Sequence, residues 1–291
     1  MSSAIINGKE IAEAVRQEIS KEVQQLREKN VVPGLAVILV GDNQASQTYV
    51  RNKQKACEDL GMHSVLIKQP EDLTQQELIR NIEELNQDDS IHGILVQLPL
   101  PGHIQEKAII EAISPEKDVD GFHPINIGRM MTGQDAFLPC TPHGIMIMLE
   151  HIGYKLEGKH VVIVGRSNIV GKPAGQLFLN ANATVTYCHS KTKDLAYFTK
   201  QADVVVVAVG KRDTITSSHI KEGAVVIDVG MNRNEDGKLC GDVSFEDVKN
   251  IASYITPVPK GVGPMTITML MKNTVKSAQK TLNLDKQAMK S

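Results

Sequence analysis

The feature that most constrains this chain is an alternation: short runs of valine, isoleucine and leucine recur between longer stretches of helical periodicity. Continuous apolar runs suit strands buried on both faces, and parallel strands of that kind are joined by helical crossovers. In the first half Leu35 to Val40, Ser64 to Ile67 and Gly93 to Val96 are separated by helical patterns over about 44–60 and 74–86, a βαβαβ set. In the second half His160 to Val164, Thr184 to Tyr187, Asp203 to Val207 and Ala224 to Val229 repeat the scheme. The expected fold class is therefore α/β, with two open sheets, each with a ligand crevice at its strand ends. Between Asp118-Val-Asp-Gly-Phe122 and Thr141 the chain shows no periodicity, and the domain boundary is placed there. Thr141-Pro142 reads as an N-cap followed by a first-turn proline, opening a helix through Glu150. The segment from Thr256 to Pro264 excludes helix and central strand, and a helical pattern from Met265 to about Lys280 is free to return to the first domain. The expected domains are 1–138 with 265–291, and 139–264.

Composition narrows the partners. The 291 residues suffice for two cores, and 41% hydrophobic with 23% charged is a soluble globular mix. With 32 basic and 34 acidic residues the net charge is −2, so no global field gathers nucleic acid or an anionic membrane. Cys57, Cys140, Cys188 and Cys240 form neither a zinc knuckle nor a disulfide framework. No basic leader or membrane-length apolar run is present, so the expected location is the cytoplasm.

The segment from Val161 through Gly165-Arg-Ser-Asn-Ile-Val-Gly-Lys-Pro173 reads as a strand, a glycine turn and a helix start. Glycines there admit a phosphate close to the backbone, and amides at a helix N-terminus stabilise its charge. A βα turn without a ligand would look similar. A Walker A loop is excluded, since five residues separate Gly165 from Gly171 and Pro173 follows Lys172. The G-x-G-x-x-G dinucleotide pattern is also broken, by Ser167. The second strand of this half runs into His189-Ser190-Lys191-Thr192 and lacks the acid that commonly holds a ribose in NAD enzymes. Hydroxyls and a cation there, with Arg166 and Ser167, suit a ribose 2′-phosphate, so the expected cofactor is NADP. The alternative is a solvated loop decorated by Ser190 and Lys191. Val170, Gly210 and Gly230 complete the expected cofactor set. Gly210 and Gly230 end strands where a ring must pass the backbone, a role glycine also plays in any βα turn.

In the first half Tyr49 and Lys53 stand four residues apart and share one face of a helix. Arg51 and Lys55 lie close by, and a run of charge is commonly a solvated face. Against that reading, Gln97-Leu-Pro-Leu-Pro101 brings an amide to the same sheet edge, where Gln97 is a candidate partner for the Lys53 amine. Asp120 adds a carboxylate before a glycine turn. An amine, a phenol, an amide and an acid, with no metal-ligand cluster among nine histidines, point to metal-free acid/base chemistry.

These motifs, in this order, with Pro257-Val-Pro-Lys-Gly-Val-Gly-Pro-Met-Thr266, resemble the bifunctional methylenetetrahydrofolate dehydrogenase/methenyltetrahydrofolate cyclohydrolase family over nearly the whole chain. The resemblance implies two α/β domains flanking a cleft, folate on the first and a Rossmann-like NADP-binding second domain. It also implies a homodimer, tetrahydrofolate derivatives as partners, and a place in one-carbon metabolism and purine biosynthesis. Carried over by position, Lys53 is the general acid/base of hydrolysis, Tyr49 orders and stacks on the folate, Gln97 tunes Lys53 and Asp120 holds the pterin. Leu98 and Pro264 join the expected substrate contacts. One position departs from the pattern: Lys260 stands where the family has glycine, a change that is harmless if that residue does not need positive φ and otherwise alters how the loop meets the folate tail or cofactor, so Lys260 is assigned no role.

Three rival readings remain at this stage. They are an NAD(P)-dependent dehydrogenase of another small substrate, such as an amino acid or shikimate; a non-catalytic nucleotide sensor; and a dehydrogenase without useful cyclohydrolase activity.

Overall fold

The computed structural model describes residues 3–288. In chain order the first elements are β1 (Ala4–Ile5), α1 (Gly8–Arg27), β2 (Gly34–Val40), α2 (Gln44–Asp59), β3 (His63–Gln69), α3 (Gln75–Gln87), β4 (Gly93–Val96), α4 (Glu106–Ala112) and α5 (Pro124–Met131). They continue with α6 (Cys140–His151), β5 (His160–Val164), α7 (Gly171–Asn180), β6 (Thr184–Cys188), α8 (Leu195–Thr199), β7 (Val204–Val207) and β8 (Val225–Asp228). The last are β9 (Asn232–Arg233), β10 (Leu239–Cys240), α9 (Phe245–Val248), β11 (Tyr254–Ile255) and α10 (Val262–Ala288). The α/β class holds. Among the described residues no helix is long and apolar enough to cross a membrane.

The chain divides into two compact units. One holds Ala14–Cys140 and the chain from Ile267; the other holds the chain up to Glu13 together with Thr141–Thr266. These limits differ from the sequence expectation at the N-terminus, because β1 pairs in parallel with β11, Ala4 opposite Tyr254 and Ile5 opposite Ile255. Two residues of strand, with only backbone pairing to identify them, carry too little periodicity to be read in advance.

The first unit is built on a parallel sheet of order β3-β2-β4. Every residue of the central β2 is buried, as expected of a strand covered on both faces, whereas edge strand β3 is partly exposed. Helix α3 starts at a full capping box between Thr74 and Glu77 and packs Leu78, Ile82 and Leu85 onto Ile38, Ile94 and Val96 of the sheet. The stretch from Phe122 to Thr141, which shows no periodicity in the sequence, contains α5. His123 caps it by accepting the Ile125 amide, and Pro124 occupies its first turn. Eight residues are about two turns, too few to display a period.

The second unit has a sheet of order β1-β11-β8-β7-β5-β6, parallel at every pairing. Its core stacks Val162, Val164, Val205, Val207 and Val226 with Ile215, Ile255 and Val248. Helix α6 begins at Cys140, two residues before the start expected at Pro142. Thr141 therefore lies inside its first turn, and its hydroxyl bonds that of Thr266 at 2.8 Å instead of capping the helix. Helix α10 likewise begins at Val262, so Pro264 sits in its first turn, where a missing amide hydrogen costs nothing, and not in the preceding loop.

Candidate functional site

The first unit brings four of the expected residues into one neighbourhood. Asn43 caps α2 through the Ser46 amide, and the helix then buries a stripe of Val50, Lys53, Cys57 and Leu60. Lys53 occupies a core position of the helix with 8% of its surface exposed, while Arg51 and Lys55 face solvent. The three neighbouring cations are thus separated by helical geometry, and the solvated-face reading fails at Lys53 alone.

Gln97 follows β4 directly, and its backbone amide extends the pairing by donating to the Ile38 carbonyl at 2.9 Å. Its side-chain NH2 donates to the Leu98 carbonyl at 2.7 Å, which fixes the orientation of the amide. The Gln97 oxygen therefore faces Lys53 and accepts from Nζ at 2.9 Å. The segment carrying Asp120 is laid beside the same strand: Asp118 bridges to Ile94, and Ile94 donates to the Lys117 carbonyl. Burial pushes the Lys53 ammonium below its ordinary pKa, opposed by the negative Asp120. Burial likewise pushes the Asp120 carboxyl up, opposed by Lys53 and by the Cys140 thiol. Tyr49 is half-buried one turn before Lys53, and burial raises its phenol pKa.

Three contributors to this site were not singled out from sequence. The Asp118 carboxylate accepts the Phe122 and His123 amides and the Asn126 side chain, clamping the turn that carries Asp120. Burial raises its pKa to about 7 against those three donors. Cys140 donates its thiol to the Val119 carbonyl at 3.3 Å. Asn273 of α10, only 3% exposed, donates to the Val119 carbonyl at 2.8 Å and the Leu138 carbonyl at 3.0 Å, tying together the two loops around Asp120 and Cys140. A legible signal existed for Asn273, a lone amide among buried Met269, Leu270 and Ala278.

The second unit holds the expected phosphate loop between β5 and α7. Gly165 has φ 134°, and a side chain there would come within 2.4 Å of the Ala208 carbonyl oxygen. A side chain at Gly171 would meet the Gly165 carbonyl oxygen at 2.5 Å. The loop is thus closed tightly by backbone against backbone. Ser167 accepts the Val170 and Gly171 amides at 3.1 and 3.2 Å, which leaves its hydroxyl hydrogen to donate. Arg166, Ser190 and Lys191 are exposed. Gly210 has φ 68°, a conformation that favours glycine. Gly230 has a reason internal to the protein that sequence did not reveal: a side chain there would stand 2.3 Å from the Asp242 carboxyl carbon. Pro264 belongs to this unit, in the first turn of α10. Lys260 has φ 79°, so the condition under which its departure from glycine would be harmless is not met.

The geometry agrees with comparisons to known proteins. Residues 6–120 match the tetrahydrofolate dehydrogenase/cyclohydrolase catalytic domain, and residues 139–282 match the NAD(P)-binding domain of the same enzymes. A Bacillus cytotoxicus protein named bifunctional protein FolD is 64% identical over 280 residues, 96% of this chain and 98% of its own. The Campylobacter jejuni bifunctional enzyme FolD, a methylenetetrahydrofolate dehydrogenase/cyclohydrolase, superposes with a TM-score of 0.95 at 53% identity, over 96% of this chain and 100% of that one. The Trypanosoma brucei methylenetetrahydrofolate dehydrogenase-cyclohydrolase, solved with NADP and an inhibitor, superposes with a TM-score of 0.93 at 39% identity, over 97% and 99%. Both matched domains are present in order, and the chain belongs to the tetrahydrofolate dehydrogenase/cyclohydrolase family.

Proposed function

We propose that this chain oxidises 5,10-methylenetetrahydrofolate with NADP to the 5,10-methenyl cation and hydrolyses that cation to 10-formyltetrahydrofolate, with Lys53 moving the protons of hydrolysis. The observation that carries the reading is the buried Lys53 amine, held by the Gln97 oxygen at 2.9 Å and under the influence of Asp120. Oxidation needs little side-chain chemistry, because positioning of the two reacting rings supplies most of what a hydride transfer requires. Hydrolysis needs a group that takes a proton and returns it. Lys53 as neutral amine accepts a proton as the water oxygen bonds the methenyl carbon. The resulting ammonium returns it to N5 as the carbon–N5 bond breaks, and the second proton of the water leaves as the formyl carbonyl forms. Burial lowers the Lys53 pKa and so raises the fraction of neutral amine near neutral pH. Gln97 accepts from Nζ whether the amine is charged or neutral, and so holds it in place through the cycle. Tyr49 and Leu98 contact the folate and Asp120 holds the pterin, with Pro264 a further substrate contact.

NADP, when bound, accepts the hydride from the methylene carbon. Gly165, Arg166, Ser167, Val170, Gly171, Ser190, Gly210 and Gly230 would hold it, with Arg166 and Ser190 on the 2′-phosphate. The tight backbone of the loop and the exposed guanidinium beside it fit a phosphorylated ligand, and the Trypanosoma brucei relative was solved with NADP. We further infer a cytoplasmic homodimer, a location that suits the free thiols of Cys57, Cys140, Cys188 and Cys240.

The decisive experiment follows both steps in Lys53→Ala: methenyltetrahydrofolate hydrolysis is abolished while measurable NADP-dependent oxidation remains. Equal loss of both activities refutes the role given to Lys53. Arg166→Ala tests the cofactor: loss of one charge-assisted contact weakens NADP about tenfold or more and leaves NAD nearly unaffected. Unchanged NADP affinity refutes the 2′-phosphate assignment.

A further inference from the structure

In the sheet of the second unit the chain leaves β5 toward β6 on one side and returns to β7 on the other, so the switch point lies between β5 and β7. Open parallel sheets bind ligands in the crevice outside the carboxyl ends of the strands at such a point. One wall is the loop from Gly165 to Gly171. The other is Ala208-Val209-Gly210, which abuts it through the Ala208 amide on the Val164 carbonyl at 2.8 Å.

Asp242 holds this second wall from within. One carboxylate oxygen accepts both the Val209 amide at 2.7 Å and the Gly210 amide at 3.0 Å, and the other accepts the Asn232 side chain at 2.9 Å. The Asp242 backbone is itself fixed, its amide on Asp228 Oδ1 at 2.9 Å and its carbonyl accepting the Thr214 amide at 2.8 Å. Asp242 is fully buried, and among the described residues no cation forms an ion pair with it. Two glycines make room for the arrangement: a side chain at Gly241 would stand 1.8 Å from Asp228 Oδ2, as one at Gly230 would collide with Asp242. A buried carboxylate satisfied only by amides is an expensive way to hold a loop. What it secures is specific: two consecutive amides converge on one oxygen, fixing the backbone of Val209, whose apolar side chain is left 38% exposed.

We propose that Asp242 is a positioning residue for the dehydrogenase step, fixing Val209 and Gly210 as the β7 wall against which a ring of the nicotinamide nucleotide packs. The inference rests on the reading of this unit as the NADP-binding one. Because hydrolysis of methenyltetrahydrofolate consumes no nucleotide, the two activities report separately on the wall.

The test uses the full-length chain with Asp242→Ala and Asp242→Asn. NADP binding is measured by calorimetry, dehydrogenase KM and kcat with NADP varied, and cyclohydrolase with methenyltetrahydrofolate supplied directly. In Asp242→Ala the Kd and KM for NADP rise about tenfold or more, the loss of roughly one charge-assisted contact, while cyclohydrolase stays within about twofold. Asp242→Asn, which fills the same volume and keeps one acceptor oxygen, falls between that variant and the parent, and the deficit it retains is one that simple cavity formation does not predict. Should Asp242→Ala fail to fold, Asp242→Asn decides, with NADP binding about threefold weaker expected. NADP affinity equal to the parent in the folded variants overturns the proposal, as does cyclohydrolase falling in step with dehydrogenase. Arg166→Ala separates the two levels: weaker NADP binding there with none in the Asp242 variants removes the positioning role alone. No loss in any of them removes the NADP reading as well.

Discussion

Replacing Gln97 by Glu puts a carboxylate where the structure has a neutral oxygen 2.9 Å from Lys53 Nζ. In an effective dielectric of about 20, two opposite unit charges at that distance attract by about 6 kcal/mol, which at about 1.36 kcal/mol per pKa unit is a ceiling near 4 units. Desolvation of the new carboxylate and loss of the Gln97 donor to the Leu98 carbonyl reduce this, and an opposite charge at contact commonly shifts a pKa by about 1–3 units. The sign is upward, since the ammonium is the favoured form. Burial alone moves Lys53 downward, so the substitution opposes the shift that readies it as a base. Below its pKa the neutral fraction falls about tenfold per unit. The ascending limb of the cyclohydrolase pH–rate profile therefore moves to higher pH by about one unit or more. Gln97→Met moves it the opposite way, because the ammonium loses an acceptor. The assay is steady-state hydrolysis of methenyltetrahydrofolate across pH, with NADP-dependent oxidation as the internal control. A limb that stays in place while the amplitude falls, in both variants, refutes Lys53 as the titrating base.

Lys260→Gly relieves a non-glycine residue at φ 79°. Left-handed backbone costs about 1–2 kcal/mol without glycine, the added chain entropy of glycine offsets about 0.5–1, and a net gain of about 0.5–1 kcal/mol is expected in urea unfolding of the full chain. A variant that is no more stable removes the strain argument. Asn273→Leu leaves the Leu138 carbonyl without its buried donor and the Val119 carbonyl with only the weaker Cys140 thiol, and an orphaned acceptor costs about 1–3 kcal/mol, so loss of stability is accompanied by reduced cyclohydrolase activity. Full retention of both excludes Asn273 as the tie between those loops.

Much of this was legible in the sequence because the strands are central ones. Runs such as Val161 to Val164 and Val204 to Val207 are buried on both faces and announce themselves without alternation. The pairing of Lys53 with Gln97 was also accessible, since both follow from a helix period and a strand end. What escaped detection depends on tertiary context. The two-residue strand β1 is defined only by its pairing with β11, itself two residues long and held against β8. Asp118, Asn273 and Asp242 are polar groups whose partners are backbone amides and carbonyls brought close by folding, and peptide groups leave no mark in a sequence. Gly230 illustrates the same limit: its glycine was read as clearance for a ligand, and the structure supplies a carboxylate that needs the space.

The pairing of Ala4 and Ile5 with Tyr254 and Ile255 has a consequence for biosynthesis. The edge strand of the nucleotide-binding sheet leaves the ribosome long before Tyr254 and Ile255, against which it pairs, while the other unit waits for α10. Neither compact body corresponds to a continuous stretch of gene. Cutting the reading frame between Cys140 and Thr141 would therefore yield two fragments that each lack part of their own sheet or helical cover. Truncation at that point is expected to yield neither activity alone, in contrast to the point substitutions proposed above.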